Sequence, residues 1–218
     1  MFHVKQNSYG PDAFQRDTGV SRETLNRLKI YADLLLTWNP KINLVGASTL
    51  PDLWRRHILD SAQLRDSIPS PARVAVDLGS GAGFPGLVLA ITTTLDVHLI
   101  ESDVRKVAFL RESARATKTA VTIHQQRIES VESFKADVVT ARACAPLVQL
   151  LEWAFPFMGP EAVGVFPKGQ NVGLELTEAH KIWTMKVDQR PSRTDPTATI
   201  LCVREVQRVR DSARPSQG

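Results

Sequence analysis

The segment Asp77-Leu78-Gly79-Ser80-Gly81-Ala82-Gly83-Phe84-Pro85-Gly86 carries the densest chemical signal in the chain. It lies between an apolar run, Val74 to Leu78, and a stretch of helical spacing, Pro85 to Ile91. Glycines at such a junction let the backbone turn sharply and approach a ligand, and the free N–H groups of the helix start offer it hydrogen bonds. Two registers fit. Gly81, Gly83 and Gly86 spell the dinucleotide fingerprint G-x-G-x-x-G, with the acid Glu101 about twenty residues further on, as that fingerprint requires. Asp77, Gly79, Gly81 and Gly83 spell D-x-G-x-G-x-G. Asp77 separates the two, because a carboxylate ahead of the first glycine faces a pyrophosphate with the wrong charge and suits a cationic ligand better. A phosphate loop of the kinase or ATPase type needs Gly-Lys-Ser or Gly-Lys-Thr after its glycines, and neither follows. A nucleophile elbow needs G-x-S-x-G, whereas Ser80 has a glycine directly on each side.

The elements that must position this loop are legible as a change of period. Up to residue 70 the pattern is helical. Ser21 caps a helix whose apolar stripe is Leu25, Leu28, Ala32 and Leu35, widened by Tyr31, Leu34 and Trp38, and Pro40 is expected to stop it. A second helix is expected to open at Thr49 with Pro51 in its first turn, to carry Leu53, Trp54, Ile58 and Leu59, and to end near Pro69 and Pro71. That proline pair reads as a domain boundary. Beyond it, short apolar runs at Val74 to Leu78, Val97 to Glu101, Val121 to His124, Asp137 to Thr140 and Ala162 to Phe166 alternate with helical stretches at Pro85 to Ile91, Val104 to Ala116 and Leu147 to Phe157. Such alternation is the mark of a mostly parallel α/β sheet. Trp183 to Val187 and Thr199 to Val206 read as a terminal hairpin around a polar, proline-containing segment. The expected organisation is a helical region at 1–70, an α/β domain at 71–207 and a flexible tail at 208–218.

Composition narrows the class. The 218 residues are 43% hydrophobic, 23% charged and 6% aromatic, which excludes a disordered tail, a fibre and a disulfide mini-protein. Cys144 and Cys202 are the only cysteines, so neither a disulfide framework nor a paired-cysteine metal spacing is present. No stretch approaches the roughly 18 apolar residues of a membrane span, and the amino terminus lacks a secretory apolar run. A cytoplasmic protein is expected. The net charge of +4 sits entirely in Lys181 to Gly218, where eight basic residues face four acidic ones. This suggests a basic edge for an anionic partner on an otherwise neutral body.

The D-x-G-x-G-x-G loop, in strand–loop–helix order, resembles the first motif of class I S-adenosylmethionine-dependent methyltransferases. The resemblance implies a Rossmann-like three-layer sandwich, preceded here by a helical extension. It makes Asp77 an indirect anchor of the methionine end and Glu101, at the end of the second strand, the partner of the ribose hydroxyls. The acceptor decides any further chemistry. Pyrimidine-carbon methylation needs a cysteine nucleophile, often after proline, but Cys144 precedes Pro146 and reads as a packed thiol. Exocyclic-amine methylation commonly uses an Asn/Asp-Pro-Pro-aromatic motif, where this chain has Thr140-Ala141-Arg142-Ala143. A ring nitrogen with a free lone pair, such as guanine N7, needs no base.

A closer resemblance covers almost the whole chain. Trp38-Asn39 with Asn43-Leu44, then Arg56-His57-Ile58-Leu59-Asp60-Ser61, the glycine segment through Gly86, Glu101-Ser102, Lys106, Phe109-Leu110, Arg127-Ile128-Glu129, Arg142-Ala143 and Lys168-Gly169 are similar in kind and order to the ribosomal RNA small subunit methyltransferase G family, also called glucose-inhibited division protein B. The resemblance implies methylation of guanine N7 in 16S rRNA near the decoding site. It places S-adenosyl-L-methionine against Gly79, Gly81, Gly83, Phe84, Ile128, Glu129 and Arg142, and implies no metal and a monomer working on the small ribosomal subunit. Phe84 is suited to cover the cofactor, Glu129 to accept from an adenine amine, and Arg142 to hold a carboxylate or the RNA backbone. Arg56, His57 and Lys168 are the candidates for placing the substrate. Ala141 and Val45 depart from the serine and threonine that the family pattern leads one to expect. The competing readings are a small-molecule methyltransferase and, from the other glycine register, a nicotinamide-binding oxidoreductase.

Overall fold

A computed structural model describes residues 9–142 and 144–209. Two helices come first, α1 (Pro11–Thr18) and α2 (Arg22–Ile42). The Ser21 hydroxyl accepts the Thr24 N–H at 3.1 Å and caps α2, and the helix buries Leu25, Leu28, Tyr31, Ala32 and Leu35 as the stripe predicts. Pro40 does not stop it. The proline removes only the bond to the Leu36 carbonyl, on a face where Leu36 is 46% exposed and water can serve that oxygen. The helix ends at Asn43, which takes the left-handed conformation at φ 51° and donates its N–H to the Asn39 carbonyl.

The single helix expected from Thr49 is replaced by a succession of tighter and wider turns. A 3₁₀ turn at Ala47–Asp52 passes into a π-helical turn at Trp54–Leu59, one turn of α-helix, α3 (Asp60–Ala62), and a second 3₁₀ turn at Gln63–Ser67. Apolar spacing cannot distinguish these windings. The π turn matters because it carries Arg56 and His57.

The α/β part follows as β1 (Val74–Leu78), α4 (Gly86–Thr92), β2 (Asp96–Ile100), α5 (Val104–Thr117), β3 (Thr122–His124), β4 (Ala136–Thr140), α6 (Leu147–Ala154), β5 (Met158–Lys168), α7 (Val172–His180), β6 (Trp183–Pro191) and β7 (Thr199–Arg208). The expected strands are all present, with β5 and β6 longer than their apolar runs because their ends pair with neighbours while exposed. The expected helix to Phe157 ends at Ala154. Helices α1 and α7 escaped the sequence reading, being only 8 and 9 residues long. Arg208 belongs to β7, and the rest of the expected tail, from residue 210 on, lies outside the described residues.

The seven strands lie in the order β3-β2-β1-β4-β5-β7-β6, with β1 to β5 parallel and β7 antiparallel to both of its neighbours. Alternation along the strands separates two apolar layers, as the period-two geometry requires. Ala75, Val97, Leu99 and Val138 face a layer containing α2, α4, α5 and the 44–64 segment, whereas Val76, Leu78, Ile100 and Val139 face α6 and α7. The result is the three-layer α/β sandwich expected from the sequence. The helical segment before residue 70 shares one apolar cluster with the sheet.

Two features of this topology make the site. The reversal of strand order on either side of β1 opens a crevice at the carboxyl ends of β1 and β4, where ligands of open α/β sheets bind. The antiparallel pairing of β7 with β5, which sets Thr199 opposite Lys168, brings the β6–β7 turn to that same edge.

Gly86 shows how tightly the crevice floor is built. A Cβ there would lie 2.4 Å from Leu99 Cδ2 and 2.7 Å from Asp77 Oδ2. Gly86→Ala is therefore expected to lower stability by on the order of 2 kcal/mol through overpacking, read as a lower urea midpoint. An unchanged midpoint would contradict this packing.

Candidate active site

One large cavity, about 970 Å³, opens at this edge of the sheet. Gly79, Gly81, Phe84, Glu101, Ile128, Glu129 and Arg142 line it, and so do Arg56, His57 and Lys168. Asp77 and Gly83, expected beside them, lie behind its wall. Gly83, at φ 92°, is needed for packing: a Cβ there would meet Leu87 at 2.8 Å, Leu110 at 3.1 Å and the Tyr31 hydroxyl at 3.3 Å.

The glycine loop is braced from both sides. Glu101 Oε2 accepts the Gly81 N–H at 2.9 Å and Oε1 accepts the Asp103 N–H at 2.8 Å, so the acid at the end of β2 holds the loop and keeps lone pairs free for hydroxyl donors. From α2, the Tyr31 hydroxyl donates to the Ala82 carbonyl at 2.5 Å. Gly79 and Gly81 take φ 64° and 57°. A Cβ on Gly81 would meet nothing nearer than the Gly79 carbonyl at 3.8 Å, so the glycine leaves open space at the cavity wall for a ligand to approach the backbone.

Asp77 is 1% exposed and tied into the fold: Oδ1 accepts the Thr140 hydroxyl at 2.8 Å and Oδ2 the Gly86 N–H at 3.2 Å. Burial raises its pKa from the ordinary 3.8 to about 6, against the opposing pull of these hydrogen bonds and of Arg142. Its influence on a ligand is thus electrostatic, through the loop.

Arg142 is the most heavily constrained polar group of the wall. Its guanidinium donates to the Arg56 carbonyl at 3.2 Å, to Asp60 Oδ2 at 3.3 Å and to His57 Nδ1 at 2.9 Å, and its carbon lies 4.8 Å from the centre of the Phe84 ring. His57 stacks on the same ring with centroids 5.1 Å apart. Phe84 is therefore sandwiched by protein and only 4% exposed, which leaves it less surface for a ligand than the sequence suggests. With Nδ1 accepting from Arg142, Nε2 carries the proton and donates to the Thr49 hydroxyl at 2.7 Å, which in turn donates to the Gly46 carbonyl. Burial, and then Arg142 and Arg56, lower the His57 pKa from 6.5 to about 3. His57 is neutral, with both ring nitrogens engaged. It orients Arg142 and is not poised as a base.

The other expected residues sort in the same way. Glu129 is exposed at the mouth and already accepts the Trp153 indole N–H on Oε1 at 2.8 Å, leaving Oε2 for another donor. The Lys168 ammonium, considered for RNA, is only 8% exposed; it pairs with Glu175 at 2.6 Å and donates to the Ala145 carbonyl at 3.1 Å. Arg56 keeps its side chain exposed at the cavity rim. Cys144 is not packed away as the sequence suggests but reaches the cavity wall, because it lies in the open connection leaving β4. The atoms around its sulfur, and Asp77, hold the thiol protonated with a pKa near 11. The sequence reading missed Tyr31, Trp153 and Thr194 as site residues. The first two sit in apolar helical stripes and look like core. Thr194 belongs to a turn whose position depends on strand order.

A family model described as rRNA small subunit methyltransferase G matches residues 24–196. The chain belongs to that family. A ribosomal RNA small subunit methyltransferase G of Rhodospirillum rubrum is 56% identical over 198 residues, covering 91% of this chain and 98% of the relative. That of Granulibacter bethesdensis is 46% identical over 216 residues, covering 96% and 100%. Among solved structures, M. jannaschii TYW2 in complex with AdoMet superposes with a TM-score of 0.55 at 17% identity, over 78% of this chain and 80% of that one. A ribosomal protein L11 methylase from Lactobacillus delbrueckii subsp. bulgaricus gives 0.53 at 14% identity, over 70% and 77%. These two likenesses show the class I methyltransferase fold. The family's matched span runs from α2 into the β6–β7 turn, so it includes both the glycine loop and the wall of Arg142.

The buried, neutral His57 has a consequence for stability. The unfolded chain gains a proton near pH 6.5 that the folded chain refuses until about pH 3, so its contribution is present above pH 6.5 and is lost as pH falls through this window, at up to about 1.4 kcal/mol per pH unit. Asp77 acts with the opposite sign: its raised pKa favours the fold at low pH, and that contribution is lost as pH rises from 3.8 to about 6. Urea titrations of wild type and His57→Gln across pH 7.5 to about 3.5 isolate the histidine term. The stability advantage of wild type should shrink with acid; a constant difference would mean that His57 titrates normally.

Proposed function

We propose that this chain transfers the methyl group of S-adenosyl-L-methionine to N7 of a guanine in 16S rRNA of the small ribosomal subunit, near the decoding site, acting in the cytoplasm as a monomer. The observation that carries the reading is the single cavity whose wall runs from Gly81 and Glu101 to Arg142 and the β6–β7 turn, joining a nucleoside-binding end to a basic, hydrogen-bonded end in a chain of this family. Its volume of about 970 Å³ lies at the upper end of ligand pockets, as a site for a cofactor and a nucleotide together requires.

The residues fit the cofactor. Glu101 offers free lone pairs to the ribose hydroxyls, Glu129 Oε2 accepts from the adenine amine while Trp153 holds the other oxygen, and Ile128 supplies apolar contact beside them. Gly79 and Gly81 let the methionine portion approach the backbone, with Asp77 behind them favouring the cationic sulfonium. When bound, S-adenosylmethionine supplies an electrophilic methyl group: the guanine N7 lone pair forms the new N–C bond as the C–S bond breaks and its electrons return to sulfur. No proton leaves N7. The chain's contribution is to hold the reactants in line and to keep competing water out. A wall in which His57 is locked neutral and the Cys144 thiol is kept protonated agrees with such chemistry, since neither a base nor a thiolate is called for. Arg56 at the rim is placed to meet an RNA phosphate, and Lys168 to hold the loop after β4 through Ala145.

Incubation with methyl-labelled S-adenosylmethionine and small subunits lacking the modification should place label on N7 of one guanine of 16S rRNA. Label found only on a small molecule, or on another RNA atom, would overturn the proposal.

A further inference from the structure

Asp60 lines the cavity, and three elements converge on it. Oδ2 accepts from Arg142 at 3.3 Å, and Oδ1 accepts the Thr194 hydroxyl at 2.6 Å and the Gln63 amide at 2.9 Å. Gln63 grips the same turn again: its carbonyl oxygen accepts the Arg193 N–H at 2.8 Å, and its amide donates to the Ser192 hydroxyl at 3.2 Å. The Ser192 oxygen also accepts the Thr194 N–H at 3.2 Å, so the β6–β7 turn is folded on itself as well as pinned to the 47–67 segment. Thr194, Asp195, Pro196 and Ala198 of this turn line the same cavity as Arg142. The Asp60 and Arg142 side chains are each 17% exposed. In so dry a setting a carboxylate is satisfied by few, fixed donors, and loss of one donor changes how the others are held.

We propose that Asp60 is a positioning residue that couples the β6–β7 turn to Arg142, making that turn the acceptor-side wall and the Thr194 hydroxyl a determinant of how Arg142 meets the substrate. The inference rests on the proposed two-substrate cavity and deepens it. Thr194 and Arg142 touch different oxygens of one carboxylate and need not touch each other. Their effects must then be interdependent, although 51 residues of chain lie between them.

The test is a cycle of Thr194→Val and Arg142→Gln in the full chain, with small subunits and S-adenosylmethionine as substrates. Valine removes the hydroxyl at nearly constant volume. Thr194→Val should lower kcat/KM for the subunit about fivefold or more while leaving the affinity for S-adenosylhomocysteine within about twofold, and the same substitution made on Arg142→Gln should have less than about half that effect. Thr194→Ser, which keeps the donor, should restore the wild-type value. A silent Thr194→Val, a serine variant as impaired as valine, or independent effects that simply multiply would each overturn the coupling. Amide hydrogen exchange gives a readout without catalysis: Arg142→Gln should speed exchange in residues 192–198, and unchanged exchange there would also overturn it. If wild type methylates a different RNA atom, the function proposed above fails while the cycle, read on that product, still decides the coupling; if no RNA product forms, exchange decides it.

Discussion

A carboxylate buried to 1% exposure where β1 ends is the constraint around which the crevice is assembled. Asp77 ties three elements at once, through its own strand, the Thr140 hydroxyl at the end of β4 and the Gly86 N–H that begins α4. An ion so placed is costly unless its lone pairs are filled. The hydroxyl and the amide fill them, and the space they need explains the absence of a side chain at residue 86, where even a methyl group would strike the carboxylate. Strand order supplies the opening; this anion sets the path of the loop that lines it.

The opposite wall is held by a cation in an equally polar but drier-than-surface setting. Arg142 is surrounded by a carbonyl, a carboxylate, an imidazole nitrogen and an aromatic face, four different acceptor types that a planar guanidinium can satisfy together and a lysine cannot. The histidine that completes the set is kept neutral by burial first and then by the charges of Arg142 and Arg56. Of the residues that look most catalytic by type, His57 is a weak base with both ring nitrogens already engaged, and the Cys144 thiol is held protonated by burial and by Asp77. This suits a transfer in which geometry does more than acid–base chemistry.

The parts of the fold that could be read from residues were those governed by local period. The α2 stripe, the five parallel strands and the strand–loop–helix order around Asp77 all express burial of one face or two, and their positions agree with the structure to within a few residues except at the ends of β5 and β6. Winding was not legible: the apolar residues Leu53, Ile58 and Leu59 are buried as a helix would bury them, but the turns that carry them are 3₁₀ and π, set by packing against α1 and α4. For the site, glycine and acid spacing picked out the loop that lines the cavity because its pattern is contiguous in sequence. Arg142 and the Arg56–Asp60 stretch were singled out by type and motif, but their meeting with Thr194 was not legible, because nothing local marks residues brought together by sheet order.

The placement of β7 has a bearing on how the molecule is made. This strand follows all the others in sequence but lies inside the sheet, between β5 and β6. Until it arrives, β6 has no sheet neighbour and the turn bearing Thr194 has no fixed address, although every strand flanking the glycine loop is already available for pairing. During synthesis the two halves of the cavity therefore mature in order, the half built on the glycine loop first and the wall bearing Thr194 last. A nascent chain whose glycine loop is already braced lacks the opposite wall of its cavity until the final strand has been threaded into place.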